Sequence, residues 1–160
     1  MTGKASVEIR VETVDFDVSA EYTRLRERAD GMLGAVVSFV GLVRDRHDGE
    51  QVATLHLEHY PGMTERSIEA ITEQACGRWP LNDVVVIHRV GELAASEQIV
   101  FVQVASSHRD AAFAGAAFIM DYLKTDAVFW KREDKAGGSR WVQSTDGDRS
   151  RRRDWDRDGA

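Results

Sequence analysis

The chain is arranged around residues 106–133, which read SSHRDAAFAGAAFIMDYLKTDAVFWKRE. Between Ala111 and Met120 this segment has no polar side chain. A helix that is apolar all round must be covered on more than one side, and about ten residues are too few to cross a bilayer. We therefore expect one side of this helix to pack on a sheet of the same chain and another side to pack on a second subunit.

Local signals predict where this helix begins and ends. Ser107 followed by Asp110 is typical of a helix start, because the hydroxyl accepts from a free backbone N–H and the carboxylate favours the positive helix end. The Thr-Asp pair after Lys124 is a poor continuation, so the helix should end near that lysine. A strand should follow, with Phe129 and Lys131 on the same face.

Cationic side chains lie at both ends of the helix. Lys124 and Lys131 at one end suit an anionic ligand, and each makes the neutral form of the other more accessible. His108 and Arg109 oppose the helix dipole at the other end, which a bound anion would explain. Because about 24 Å separates the two ends at the standard helical rise, one small pocket in one subunit cannot use both. Either there are two sites, or a dimer brings the ends of two subunits together.

The order of predicted elements indicates an α+β fold with a mixed or antiparallel sheet, packed helices and a β-hairpin extension, in a single domain. Residues 34–44 and 52–60 are predicted to be the two strands of the hairpin. Gly41 is expected to mark a β-bulge or a close backbone approach. We assign residues 1–143 to the domain, and predict that residues 144–160, which have almost no apolar content, form a disordered charged tail.

Composition excludes several classes of protein. A net charge of −6 argues against a general binder of nucleic acid or membrane surfaces. Cys76 is the only cysteine, so neither an intrachain disulfide nor a cysteine zinc cluster can form, and a reducing cytoplasm is the expected compartment. The first residues, MTGKASVEIRVE, lack the apolar core of a signal peptide. With no Gly-rich phosphate loop and no Cys/His metal pattern, we expect neither a bound metal nor a cofactor.

Each candidate residue also has an ordinary structural interpretation. Exposed lysine and arginine are common, so Lys124, Lys131 and Arg44 can be surface charges. Phe39 and Met120 are core residues by default, and His88 within a strand is interpreted as structural. Strict alternation places Phe39 and Arg44 on opposite faces of their strand, so both line one pocket only if the backbone bulges near Gly41.

Six motifs in order along the chain carry a family resemblance: FVGLVR (39–44), LEHYPGMTE (57–65), IHRVGEL (87–93), SSHRDAAFAGAAFIMDYLK (106–124), FWKRE (129–133) and RWV (140–142). Together they resemble the large, catalytic subunit of molybdopterin synthase over roughly residues 30–143. The resemblance implies a sulfurtransferase of molybdenum cofactor biosynthesis, built as a central homodimer that binds two small ubiquitin-like sulfur carriers, giving a heterotetramer. It also implies that the carrier's C-terminal Gly-Gly thiocarboxylate enters a pocket and delivers sulfur to cyclic pyranopterin monophosphate, so that two transfers yield the dithiolene of molybdopterin.

The same resemblance implies roles for individual residues. Lys124 matches the essential lysine of the family and Lys131 its second pocket lysine. Other positions match substrate-binding residues: Arg44 and Phe39 on the strand, Met120 on the helix, and His108 and Arg109, which the family contributes from the opposite subunit.

Two positions depart from the family pattern. Val128 stands where the family often has proline, which should alter only local stiffness. Gln143-Ser144-Thr145 stands where the family can carry a further substrate-binding arginine, so that contact is either absent or supplied by Arg149 or a neighbour.

Two other functions compete with the enzyme. A dimeric docking scaffold for a ubiquitin-like partner would bind without chemistry, and the missing arginine supports it. A stand-alone sensor of a phosphate ligand would bind its ligand tightly without any partner. Retention of Lys124, Lys131 and Arg44 favours the enzyme.

Overall fold

The structure, a computed structural model, describes residues 4–47, 49–127, 129–135, 138–142 and 146–158. Its helices and strands follow in the order β1 (Ser6–Glu12), α1 (Val18–Arg28), β2 (Ala35–Leu42), β3 (Arg46–His47), β4 (Glu50–His59), α2 (Met63–Arg78), β5 (Leu81–Arg89), β6 (Gly91–Ala94), β7 (Gln98–Ser106), α3 (Arg109–Leu123), β8 (Phe129–Lys135), β9 (Gly138–Val142) and α4 (Asp146–Asp158). Among these residues no helix combines the length and the apolar character needed to cross a membrane.

The strands form two sheets. The first has the order β1-β5-β7-β2, in which β1 and β5 are parallel and the other pairs are antiparallel. The second has the order β3-β4-β8-β9, with β6 also paired to β4. This mixture of helices with mixed and antiparallel sheets confirms the predicted α+β class.

The predicted pairing of the strands within residues 34–44 and 52–60 is wrong. Strand β2 pairs with β7 in the first sheet, whereas β4 pairs with β8 and β6 in the second. Val37 and Phe39 of β2 lie opposite valines of β7, so β2 extends the apolar sheet instead of folding back on its successor. The polar segment that follows makes only a short hairpin, in which Arg46 pairs with Gln51.

Helix α3 packs on the first sheet as expected. At Gly115 an added Cβ would lie only 3.0 Å from a methyl group of Leu81, so helix and sheet approach each other closely there and a larger residue would push on that leucine. On another side Phe118 contacts the rings of Trp79 and Trp155. A third side carries the exposed residues Arg109, Phe113, Ala117 and Lys124, which recur at helical spacing and are called the α3 stripe below.

The predicted end of α3 is confirmed and its predicted cap is wrong. Lys124 is the C-cap, and its N–H donates to the carbonyl of Met120. At the other end His108, not Ser107, is the N-cap, and it makes no side-chain capping bond. The Ser107 hydroxyl instead donates to the carbonyl of Met32 at 3.1 Å, so it fastens the preceding loop to the start of the helix.

The expected disorder of residues 144–160 is wrong for residues 146–158, which form α4. Trp155 lies edge-on to Trp79 with ring centroids 5.4 Å apart, and its indole N–H donates to Asp121 at 2.7 Å. Ion pairs such as Arg152 to Asp126, at 3.1 Å, fasten the helix further. These partners lie at the C-cap of α2, on α3 and in the turn that follows α3, so the low apolar content of the segment itself did not reveal them.

We expect Trp155→Ala to lower the free energy of unfolding by about 2 kcal/mol, below the usual cost of a fully buried tryptophan because this ring is half-buried. Chemical denaturation of the two chains measures the difference. Arg153→Ala on the exposed side of α4 is the matched control and should leave stability within about 0.5 kcal/mol. Equal stability of the Trp155→Ala chain and the wild type would show that α4 is not docked.

Candidate active site

A cleft with a volume of about 1110 Å³ opens between the two sheets. Its walls come from β2 and the residues after it, from β4 and β8, from the end of α3 and from the first turn of α4. It is lined by five of the seven predicted site residues: Phe39, Arg44, Met120, Lys124 and Lys131. We call this cleft the pocket.

Phe39 and Arg44 line the same pocket, although strict alternation along one strand would place them on opposite faces. The pairing of β2 with β7 shifts register between Gly41 and Leu42, where Ile99 of β7 is skipped, so the irregularity lies beside Gly41 but on the neighbouring strand. A Cβ on Gly41 would lie 2.7 Å from a methyl group of Val100, so only glycine permits this approach. Arg44 lies two residues beyond the end of β2, so the alternation within that strand does not fix the direction of its side chain.

Lys124 and Lys131 meet at the pocket wall. Lys124 is exposed at the C-terminus of α3, and Lys131 lies on β8, where it pairs with Leu57 of β4. Burial, followed by the charge of Lys124 and a hydrogen bond with it, lowers the pKa of Lys131 to about 8. The neutral form of Lys131 is therefore more accessible than that of an ordinary lysine, while the ammonium remains available as a charge.

Carboxylates oppose this effect only in part. Asp148 at the start of α4 and the buried Glu133 on β8 both raise the pKa of Lys131, though less than burial lowers it. Asp148 is itself held by Arg151, whose Nη2 lies 2.6 Å from its Oδ1. The first turn of α4 therefore contributes to the electrostatics of the lysine pair.

We expect the pKa of Lys131 to rise in the Lys124→Ala chain, because the neighbouring positive charge and the hydrogen bond both lower it in the wild type. Burial persists in the variant, so the pKa should stay below the usual lysine value. NMR titration of lysine side chains measures both values, with Lys131→Met used to assign the signal. Identical titration of Lys131 in the two chains would contradict the coupling.

His108 and Arg109 do not line the pocket. Both are exposed at the first turn of α3, about 24 Å along the helix from Lys124. The loop before them is held closely, since a Cβ on Gly34 would lie 2.0 Å from the carbonyl oxygen of Ser107. Within one chain the structure therefore keeps the two cationic ends of α3 apart, as the sequence predicted.

Sequence reasoning missed or undervalued several lining residues. Arg46 and Asp148 were not singled out, Arg149 was named only as a possible replacement, and His88 was interpreted as structural; all four line the pocket. Arg46 follows Arg44 by two residues. In a strand this spacing puts two side chains on one side, so the sequence could have predicted that Arg46 accompanies Arg44. The positions at Val128 and Gln143-Ser144-Thr145 lie outside the described residues.

A metal centre has no support along the described ranges. There, no group of three or more His, Cys, Asp or Glu side chains could hold a metal ion. What the pocket does offer is a cationic, partly apolar cleft with a perturbed lysine pair, which suits an anionic organic ligand and acid–base or electrostatic chemistry.

Comparison with known proteins gives a consistent result. The family model described as "MoaE protein" matches residues 11–126. The chain is 51% identical over 148 residues to the molybdopterin synthase catalytic subunit of Vibrio cholerae, covering 92% of this chain and 97% of that one. It is 49% identical over 151 residues to the Escherichia coli protein of the same name, covering 94% and 99%. Among solved structures, the molybdopterin cofactor biosynthesis protein E of Burkholderia multivorans superposes with a TM-score of 0.78 at 45% identity, covering 97% of this chain and 98% of that one.

Proposed function

The chain belongs to the MoaE protein family, and from that premise we propose that it is the catalytic subunit of a molybdopterin synthase. It transfers sulfur from the C-terminal thiocarboxylate of a small ubiquitin-like carrier subunit to cyclic pyranopterin monophosphate, forming the molybdopterin dithiolene. The observation that carries this proposal is the meeting of Lys124 and Lys131 in the pocket together with Arg44, Phe39 and Met120. The cytoplasm is the proposed compartment, in keeping with a single, half-buried cysteine.

The size and lining of the pocket support binding of both reactants. Its volume of about 1110 Å³ exceeds the ~1,000 Å³ upper range of ordinary small-molecule sites, so a pterin and an extended carrier terminus can share it. Arg44, Arg46 and Arg149 supply guanidinium groups for a phosphate. Phe39 and Met120 supply apolar surface for a flat heterocycle.

The lysine pair supports the chemistry at the carrier's carbonyl carbon. In the first step the carrier's sulfur bonds to a carbon of the pterin substrate and displaces an oxygen from that carbon. Water must then attack the acyl carbon that still holds the sulfur. The neutral amine of the pair takes the proton of the water, and the remaining ammonium stabilises the oxyanion. The acyl carbon–sulfur bond then breaks, which leaves sulfur on the pterin and returns the carrier as a carboxylate.

A second copy of the chain completes the site. The α3 stripe runs from Arg109 past Phe113 and Ala117 to Lys124, and Phe113 is 62% exposed in the single chain. Two such stripes packed about a two-fold axis perpendicular to the helices run antiparallel. That arrangement brings His108 and Arg109 of one subunit beside Lys124 of the other, which supports the dimeric alternative over two separate sites.

The non-catalytic docking scaffold receives less support. Its main argument was the arginine absent near Thr145. Arg149 lines the pocket from α4, so a guanidinium group is available there despite the different sequence. A scaffold also gives no reason for the perturbed pKa of Lys131.

Reconstitution tests the proposal. The purified chain is mixed with thiocarboxylated carrier and cyclic pyranopterin monophosphate, and dithiolene is detected as an oxidised fluorescent derivative. Carrier that ends in an ordinary carboxylate is the control and should give no product. Binding of the thiocarboxylated carrier without product would instead support the scaffold.

A further inference from the structure

His88 is held rigidly at the wall of the pocket. It lies near the end of β5, is 8% exposed, and its ring stacks on Phe129 of β8 with centroids 4.0 Å apart and planes 25° from parallel. Its Nδ1 lies 2.8 Å from the carbonyl oxygen of Arg89. Ring stacking and this hydrogen bond leave the imidazole one orientation.

The hydrogen bond at Nδ1 also determines which nitrogen carries the proton. A backbone carbonyl can only accept, so Nδ1 must be the protonated nitrogen and Nε2 must carry a lone pair. Burial, followed by the charges of Lys131 and Lys124, lowers the pKa of His88 to about 3, so the ring stays neutral at physiological pH. His88, which lines the pocket, therefore carries an acceptor at Nε2 without a charge.

Neutral acceptors are few among the described side chains of this pocket, where the hydroxyl groups of Tyr60 and Thr125 are the others. Arg44, Arg46, Lys124 and Arg149 are donors, and Asp148, Glu58 and Glu133 are carboxylates that would repel an anionic ligand. A neutral Nε2 can approach a ligand that carries a phosphate elsewhere without that repulsion. Its natural partner is an N–H or O–H group of the ligand.

We propose that His88 is a specificity-determining residue of the pocket, whose Nε2 accepts a hydrogen bond from an N–H or O–H donor on the heterocycle of the bound anionic ligand. This inference rests on the proposed function, in which that ligand is cyclic pyranopterin monophosphate. Phe129 and the Arg89 carbonyl hold the ring in position, and the phosphate is bound by other residues. Recognition of the ring is thereby separated from recognition of the phosphate.

Two substitutions separate this role from a structural one. The amide of asparagine can replace Nδ1 and keep the bond to Arg89, but it supplies nothing at the position of Nε2. Glutamine can place its amide oxygen where Nε2 stands, but it loses the bond to Arg89. We expect His88→Asn to weaken binding of cyclic pyranopterin monophosphate about tenfold or more, and His88→Gln to retain most of the affinity.

Isothermal calorimetry on the full chain measures these affinities. Carrier binding, measured separately, should be equal in all three chains: the wild type, His88→Asn and His88→Gln. A purely structural histidine predicts the reverse order, with His88→Gln weaker than His88→Asn, and that order would overturn the proposal. Equal ligand affinity in all three chains would also overturn it.

NMR of the wild-type chain gives a measurement that does not depend on how the variants fold. With ¹⁵N-labelled histidine, the Nε2 signal of His88 should show an unprotonated nitrogen in the free protein and shift on addition of cyclic pyranopterin monophosphate. An Nε2 signal unmoved by bound ligand would overturn the proposal while leaving the proposed function intact. Failure of the wild type both to bind this ligand and to form dithiolene would overturn the two together.

Discussion

The Lys124→Ala chain should form no detectable dithiolene, a loss of at least about 100-fold in rate, because truncation removes one of the two amines that act at the carrier's carbonyl. Lys124 is exposed at the C-cap of α3, so its removal opens no core cavity and the fold should persist. Product is measured in the reconstituted reaction under single-turnover conditions. Carrier binding should remain close to that of the wild type.

Lys4→Ala is the matched control, since Lys4 is an exposed lysine that does not line the pocket. It should retain wild-type turnover. Near-normal product formation by the Lys124→Ala chain would show that Lys124 is not catalytic, and the lysine pair would then have only an electrostatic or structural role.

The second large effect is recovery of activity when two inactive chains are combined. Arg109→Ala and Lys124→Ala should each be impaired alone, because each removes a group from every pocket of its own homodimer. In a mixed dimer one pocket receives both substitutions and the other receives neither. Random assembly of equally stable subunits should therefore restore about a quarter of wild-type sites, as two-fold symmetry requires.

Subunit exchange is verified by native mass spectrometry before activity is compared. A mixture of Lys124→Ala with Lys131→Ala is the control. Each pocket takes both lysines from the same subunit, so a mixed dimer of these two chains contains no intact site. Verified mixed dimers of the first pair with no recovery would contradict the shared site. His108 and Arg109 would then belong to a separate site or to the fold.

The sequence predicted the parts of the molecule whose causes are local. The end of α3 at Lys124 follows from the residues around it, and the close approach of β7 at Gly41 follows from a glycine within an apolar strand. The distance between the two ends of α3 could be predicted from the length of the helix alone. The grouping of Phe39, Arg44, Met120, Lys124 and Lys131 came from family resemblance, and their catalytic and binding roles remain predictions that the variants test.

Features that depend on distant partners could not be predicted in the same way. Strand β2 pairs with β7, some sixty residues later, because its apolar residues extend the apolar first sheet. Helix α4 forms because Trp155 and charged residues such as Arg152 contact the folded domain, although the sequence of the segment resembles a disordered tail. His88 looked structural because nothing in its own strand reveals Phe129 or the nearby lysines.

The count of sulfur atoms transferred tests the central claim most directly. A limiting amount of cyclic pyranopterin monophosphate is mixed with the chain and excess thiocarboxylated carrier, and mass spectrometry counts the carriers converted to carboxylate for each dithiolene formed. Because a dithiolene holds a pair of sulfur atoms and Cys76 is the only cysteine, we predict two carriers consumed per product with the wild type and none with Lys124→Ala. Consumption of carrier without dithiolene, or equal consumption by the Lys124→Ala chain, would contradict sulfur transfer at this pocket.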